Sequence, residues 1–115
     1  MKYSESLKKH HDFQIVYKTG KSYGNKYLVM YIKENGLDCN RLGISVSKKV
    51  GNSVVRHRLT RLIRESYRLK EEKFQCGYDI IVIARVGAKE KNYWDIESAL
   101  IHLGHLHNII YEQMG

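Results

Sequence analysis

A dense group of basic side chains is the feature of this sequence best suited to binding chemistry. Residues 48–68 carry seven lysines and arginines against the single acid Glu65, a local charge of +6 within a total of +8. Guanidinium groups donate paired N–H bonds to phosphate oxygens, and charge concentrated in this way attracts polyanions. This basic segment, residues 48–68, is a candidate RNA-binding surface. Its candidate contacts are Lys48, Lys49, Asn52, Arg56, Arg58, Arg61, Arg64 and Arg68.

The basic segment also contains a helix start. Gly51 and Asn52 interrupt the preceding strand-like pattern, and the free N–H groups of residues 52–55 would form a partial positive pole beside Lys48 and Lys49. Two alternatives remain. The basic face could be merely solvated, or it could lie on an anionic membrane, although a membrane-lying helix would not need strands on both sides of it.

Three aromatic side chains form a second candidate site. Phe13 and Tyr17 share one face of a short predicted helix, and Tyr31 lies on a predicted strand. Aromatic rings stack on unpaired bases whatever the sequence, at about 1–3 kcal/mol per base. The alternative is core packing for Phe13 and Tyr17, and cross-strand packing for Tyr31.

The sequence offers little for catalysis by the chain alone. His10 and His11 are adjacent and polar, and the histidines at 102, 105 and 107 lack neighbouring carboxylates. Cys39 and Cys76 are isolated, which favours free thiols over a disulfide. No phosphate-binding glycine loop or Ser/His/Asp arrangement is visible. We therefore predict no catalytic residue and no metal ligand in this chain.

Hydrophobic periodicity predicts the elements that would position these residues. We expect a helix at 12–19, strands at 27–32 and 41–47 joined as a hairpin, a helix at 53–70, a central strand at 78–86, and a last helix from Asn92 to Gly115. A further short strand is expected near residues 22 and 23. The hairpin would place the tyrosines of one strand opposite the small residues of the next, leaving a trough.

The periodicity of the basic helix separates two faces. Val55, Leu59, Leu62, Ser66 and Leu69 fall in one arc, with His57, Arg61, Arg64 and Arg68 opposite. The whole pattern predicts an α+β domain spanning residues 1–115. Helices would pack on a single sheet of about four strands, in the order αβββαβα.

Length and composition exclude several classes of protein. A chain of 115 residues with 43% hydrophobic content is enough for one folded domain, and no apolar run approaches the roughly 20 residues that cross a bilayer. The polar N-terminus lacks the apolar stretch of a secretory signal. We therefore expect a cytoplasmic protein without a membrane partner.

The segment from Lys48 to Glu65, KKVGNSVVRHRLTRLIRE, resembles the signature of the bacterial ribonuclease P protein component. The resemblance extends to the Asp12–Gly20 region, the Tyr31 strand and the IIVIAR strand. His57 stands where the family usually has Asn, and Thr60 where Lys is common.

The resemblance implies a subunit of a ribonucleoprotein endonuclease that removes the 5′ leader of precursor tRNA. The catalytic RNA subunit would hold the Mg²⁺ and perform catalysis, the protein alone would be inactive, and no protein partner would be required. It also implies that the basic segment contacts the RNA subunit, while Phe13, Tyr17 and Tyr31 line a cleft for the leader.

Two further expectations remain open. A non-enzymatic RNA-binding module of the ribosomal-protein type would share the basic helix and the sheet. The general rule for parallel strands predicts a right-handed crossover around the basic helix, whereas the family resemblance implies a left-handed one.

Overall fold

The apolar run that follows the basic helix forms the centre of one five-stranded sheet. The computed structural model describes residues 1–112. Its elements are β1 (Ser4–Ser6), α1 (His10–Thr19), β2 (Lys21–Gly24), β3 (Leu28–Glu34), β4 (Asn40–Ser45), α2 (Ser53–Lys70), β5 (Tyr78–Ala84) and α3 (Tyr93–Leu106), with 3₁₀ turns at Glu71–Lys73 and Val86–Ala88. The predicted α+β class is confirmed, and the central position of β5 is as predicted.

The predicted hairpin between β3 and β4 is wrong. The strand order is β1-β4-β5-β3-β2, so β5 separates the two strands, pairing antiparallel with β3 and parallel with β4. Alternation in β3 and β4 indicates which face of each strand is buried, but not which strand lies beside it. Strand β5 is buried along almost its whole length and pairs with a neighbour on each edge.

The two faces of the sheet carry separate apolar clusters. The larger one lies under α2 and α3 and includes Leu28, Met30 and Ile80, while the smaller one lies under α1 around Val16 and Ile81. Alternate residues of each strand therefore serve different clusters, as the period of two in a strand requires. The result places α1 on one face of the sheet and the basic helix on the other.

Helix α2 has the predicted bounds, but its buried face is rotated from the predicted arc. Leu59 and Ser66 are fully buried as expected, together with Ile63 and Tyr67. Leu69, predicted to lie on the buried side, is 53% exposed. The apolar period alone cannot fix this rotation, because Tyr67 is drawn inward by Phe74, whose ring lies 5.1 Å away.

Three other expectations need correction. The sheet has a fifth strand, β1, which sequence analysis missed because Ser4–Ser6 has no apolar alternation; it is held by parallel pairing with β4. The tyrosines expected together on one side of the 27–32 strand are separated, since Tyr27 packs with the larger cluster and Tyr31 with the smaller one. Helix α3 ends at Leu106, and the predicted extension to Gly115 runs into residues outside those described.

Several smaller expectations concern the edges of the sheet and the thiols. The strand near residues 22 and 23 is present as β2. Cys39 and Cys76 are free. Within residues 1–112, none of the helices combines the length and the apolar composition of a membrane span. Strands β4 and β5 are parallel neighbours connected through α2, and the hand of that crossover stays a prediction.

Candidate RNA-binding surfaces

The basic segment begins just after β4 and continues through α2. Asn52 caps the helix, since its side-chain oxygen accepts a hydrogen bond from the N–H of Val55 at 3.0 Å. The first turn contains no acidic side chain, so nothing there neutralises the positive end of the helix. Lys48 and Lys49 are exposed immediately before it. This helix start is electrostatically suited to phosphate.

The arginines of the segment follow one helix rather than separate surfaces. Arg58, Arg61, Arg64 and Arg68 are exposed, and Arg56 is half-buried. Arg61 lies on the side of α2 opposite the buried Leu59 and Ile63, so it points away from the sheet. Of the eight residues predicted as RNA contacts, seven are exposed and Arg56 is half-buried on the side of α2 nearer the sheet.

Two of these arginines already have partners in the fold. Arg68 forms an ion pair with Glu65, which raises the pKa of Arg68 and lowers that of Glu65 through their hydrogen bond. Arg58 donates to the carbonyl oxygens of Lys89, at 3.1 Å, and of Lys91. Arg58 thus ties α2 to the segment before α3, and part of the charge of Arg68 is neutralised internally.

The other arginines differ in their surroundings. Within residues 1–112, Arg61 and Arg64 form no ion pair, so their charge is available to an external anion. The Nε of Arg56 is buried and has no hydrogen-bond partner among the described residues. The backbone of Arg56 has a partner, since its carbonyl accepts a hydrogen bond of 2.9 Å from the Thr60 hydroxyl one turn later in the same helix.

The three predicted aromatic residues meet on the opposite face of the sheet. The rings of Phe13 and Tyr17 are 6.2 Å apart, and those of Tyr17 and Tyr31 are 5.1 Å apart in an edge-to-face arrangement. All three are half-buried around the Val16 cluster. We call this arrangement the aromatic cleft: Phe13, Tyr17 and Tyr31. The three rings pack on one another, and part of each side chain stays accessible.

Gly43 determines how closely α1 approaches the sheet. A Cβ atom on Gly43 would lie 2.5 Å from the Cζ of Phe13, much closer than carbon atoms can approach. Gly43 pairs with Ile81, which in turn pairs with Tyr31, so these residues form one row across the sheet. Sequence analysis placed small residues opposite the tyrosines without assigning this role to Gly43.

An ion-pair network missed by sequence analysis holds α1 in place. Arg41 binds the buried Asp79 through two hydrogen bonds, each 2.7 Å long, and lies 3.7 Å from Asp12 of α1. Asn35 adds a bond of 3.0 Å to Asp79. The hydrogen bond to Asp79 raises the pKa of Arg41. Nothing local in the sequence signals this network, because its members are on separate elements.

Ser45 connects the cleft with the basic segment. Burial raises the pKa of the Tyr17 hydroxyl, and a hydrogen bond to Ser45 partly opposes that shift. Ser45 ends β4, and Lys48 follows three residues later. Ser45 therefore lies at the end of β4 that leads into the basic segment.

Comparison with known proteins identifies the family. A family model described as Ribonuclease P matches residues 1–107. The chain belongs to the ribonuclease P protein family. The ribonuclease P protein component of Lachnoclostridium phytofermentans is 64% identical over 107 residues, covering 93% of this chain and 92% of that protein. That of Alkaliphilus metalliredigens is 54% identical over 103 residues, covering 90% and 93%.

Solved ribonuclease P proteins share the fold. The Staphylococcus aureus protein superposes with a TM-score of 0.85 at 40% identity, covering 92% of this chain and 97% of that one. The Thermotoga maritima protein gives a TM-score of 0.81 at 35% identity, covering 87% and 94%. These matches confirm the predicted family and its role in tRNA processing, and they favour it over the ribosomal-protein alternative.

His57 and Thr60, named in the sequence analysis for their residue types, are both on α2. His57 is exposed, close to the arginines, whereas Thr60 is half-buried and bonded to its own helix. His57 is therefore able to face an RNA ligand, while the Thr60 hydroxyl bonds within the helix.

Within residues 1–112 there is no group of three or more His, Cys, Asp or Glu side chains that could hold a metal ion.

Proposed function

We propose that this chain binds the catalytic RNA subunit of ribonuclease P through the basic segment and the 5′ leader of precursor tRNA through the aromatic cleft. The observation that carries the proposal is the placement of the two surfaces. They lie on α2 and α1, on opposite faces of one sheet, and β4 leads from the cleft into the basic segment. One protein can therefore contact two RNA elements together.

The chemistry of each surface suits its proposed ligand. Arg61 and Arg64 present unpaired charge, within the described residues, to the phosphates of a folded RNA. The cleft offers partly exposed aromatic rings, and stacking tolerates any sequence. Leaders differ from one precursor to another, so tolerance is what this ligand requires.

In this proposal the protein supplies binding and the RNA supplies catalysis. Magnesium ions would be held mainly by the RNA subunit, and we assign no catalytic or metal-ligating residue to this chain. Their chemistry, when bound, would be activation of the attacking water and stabilisation of the leaving oxygen. The role left to the protein is to hold leader and RNA subunit in a fixed relation, which lowers the entropic cost of the reaction.

Reconstitution tests the proposal. The purified protein is combined with the RNA subunit of the same source and a precursor tRNA at low magnesium concentration, beside protein alone and RNA alone. We expect cleavage with both components and none with protein alone. Cleavage by protein alone would contradict the assignment of catalysis to RNA.

A second test compares precursor tRNAs with and without a leader. The protein should increase the affinity of the complex for a precursor tRNA with a leader of several nucleotides, and should leave affinity for leaderless tRNA nearly unchanged. An equal increase for both substrates would contradict the leader cleft while leaving the binding of the RNA subunit intact.

A further inference from the structure

Trp94 is an unusual surface residue. It is the single tryptophan of the chain and lies in the first turn of α3, where it is 72% exposed. Tryptophan is normally highly buried, because its large ring gains most from leaving water. The buried side of α3 carries Ile96, Leu100 and Leu103. Helical geometry places Trp94 on the opposite side, pointing away from the sheet.

The ring of Trp94 is held on a well-ordered first turn. Asn92 and Asp95 form a reciprocal capping box at the start of α3. The Tyr93 ring lies 5.0 Å from the Trp94 ring in an edge-to-face arrangement, and the Tyr93 hydroxyl donates to Glu97. An aromatic platform built in this way loses little conformational entropy when a ligand stacks on it.

Trp94 lies among charges of both signs, because the exposed Glu90 and the neighbouring Asp95 accompany the lysines before α3. Helices α2 and α3 pack side by side on the same face of the sheet, so their outer sides, with Arg61 and Trp94, both point away from it. Arg58 fixes this relation by donating to the carbonyls of Lys89 and Lys91, just before α3. Lys89 is itself exposed. An exposed ring thus lies on the helix that packs beside the basic segment.

We propose that Trp94 stacks on an unpaired base of the RNA subunit while arginines of the basic segment bind the neighbouring phosphates. The inference rests on the proposed function and adds a base contact to it. An apolar protein surface is a poorer occupant, because covering Trp94 would also desolvate charged side chains close to it in the chain, such as Glu90 and Asp95. RNA supplies both the stacking surface and the negative charge. The aromatic cleft lies on the other face of the sheet, so this base is not one of the leader nucleotides.

The single tryptophan makes the proposal directly testable. The protein is titrated with the RNA subunit alone while Trp94 emission is recorded, and binding is measured independently by electrophoretic mobility shift in the same buffer. We expect emission to fall with the same midpoint as binding, because a stacked base quenches indole fluorescence. Precursor tRNA alone should bind without this midpoint-matched quenching.

Substitutions of Trp94 test whether the residue whose fluorescence changes also contributes to the affinity for the RNA subunit. Trp94→Leu should weaken binding of the RNA subunit by about 5- to 100-fold, the range expected when one stacked base is removed. Trp94→Phe keeps an aromatic face and should recover most of that affinity. Val86→Ser is the matched control, because it removes another exposed apolar side chain, and its affinity should be unchanged. Urea unfolding of each variant confirms that the fold is retained.

The possible results separate this inference from the proposed function. RNA-subunit binding with unchanged emission, or with undiminished affinity of Trp94→Leu, would overturn the role of Trp94 and leave the basic segment as the RNA site. Quenching by precursor tRNA but not by the RNA subunit would also overturn it. If the RNA subunit does not bind at all, the proposed function fails, and this inference fails with it.

Discussion

Gly43 is the residue on which the shape of the aromatic cleft most directly depends. Gly43→Ala would place a methyl group 2.5 Å from the present position of the Phe13 ring, which must then move. We expect unfolding free energy to fall by about 1–3 kcal/mol, typical of overpacking. We also expect weaker binding of precursor tRNA with a leader, measured against leaderless tRNA.

A second substitution checks the cause of the Gly43→Ala effect. Phe13→Leu removes the atoms that the new methyl group would meet, so the double variant should recover part of the stability that Gly43→Ala alone removes. Tyr31→Ala provides a reference, since it removes one wall of the cleft and should weaken binding selectively for substrates with a leader. Equal weakening for leader-containing and leaderless substrates would show that Gly43 acts on the fold and not on the cleft.

The arginines of α2 should contribute unequally to RNA binding. Arg61 and Arg64 have no ion pair within residues 1–112, whereas Arg68 is paired with Glu65. Removing one cation that binds a phosphate lowers the log–log salt slope by about 0.7–0.9. We therefore expect Arg61→Ala and Arg64→Ala each to flatten the slope by that amount, and Arg68→Ala to flatten it less. The measurement is RNA-subunit affinity from low to moderate salt. Equal slopes for all three variants and the unmodified protein would contradict phosphate binding by this face.

At the scale of single residues, the features that can be predicted from sequence are those that follow from side-chain type alone. The charge of the basic segment and the three aromatic residues could be identified from the chain alone, because the chemistry of arginine and tyrosine follows from their type. Gly43 and the Arg41 network could not. Their roles arise from interactions between elements far apart in sequence, which no local pattern records.

Among the helices and strands, the start of α2 serves both stability and binding. Asn52 caps the helix through the Val55 N–H and lies next to Lys48 and Lys49. Asn52→Ala should remove the cap and cost about 0.5–2 kcal/mol of unfolding free energy. Asn52→Asp should keep the cap and the stability, yet weaken RNA binding, because it adds negative charge where phosphate is expected.

The contrast between these two variants separates folding from recognition. Chemical unfolding gives the stability of each, and mobility shift with the RNA subunit gives the affinity. If Asn52→Asp binds RNA as tightly as the unmodified protein, the helix start is not a phosphate site. If Asn52→Ala is as stable as the unmodified protein, the capping bond contributes nothing measurable.

The elements themselves show what periodicity can and cannot establish. The bounds of α2 and the central position of β5 follow from strong local patterns. The pairing of β3 with β5 rather than with β4 does not follow from local patterns, because the loop between β3 and β4 has turn chemistry that would also suit a hairpin. The Asn35 side chain accepts from the Leu37 N–H at 2.8 Å, as in a tight turn, and also donates to the Cys39 carbonyl and to Asp79 across the sheet. Strand β1 cannot be predicted from its own residues, because it forms through pairing with β4.

At the scale of the whole molecule, His107 at the end of α3 contacts both β3 and β2. Its Nε2 is 2.8 Å from the Met30 carbonyl oxygen of β3, and the Tyr23 ring of β2 lies edge-to-face at 4.7 Å. Nδ1 is buried without a hydrogen-bond partner among the described residues. Burial lowers the pKa of His107, with Lys21 adding to the effect and the bond to Met30 opposing it.

This depressed pKa makes stability depend on pH. In the unfolded chain His107 binds a proton near its ordinary pKa of 6.5, whereas the folded protein keeps the ring neutral to lower pH. Its contribution is therefore complete above pH 6.5 and is lost as pH falls below that value. One proton changes unfolding free energy by at most about 1.4 kcal/mol per pH unit, which bounds the slope.

Replacing His107 should remove this part of the pH dependence. His107→Gln can still donate to the Met30 carbonyl but does not titrate, so its urea midpoint should change less than that of the unmodified protein between neutral and mildly acidic pH. His105→Gln is the matched control, because His105 is exposed on the same helix, and its profile should follow the unmodified protein. Parallel profiles for all three proteins would mean that His107 binds protons equally in the folded and unfolded states, and that the junction of α3 with the sheet is insensitive to pH.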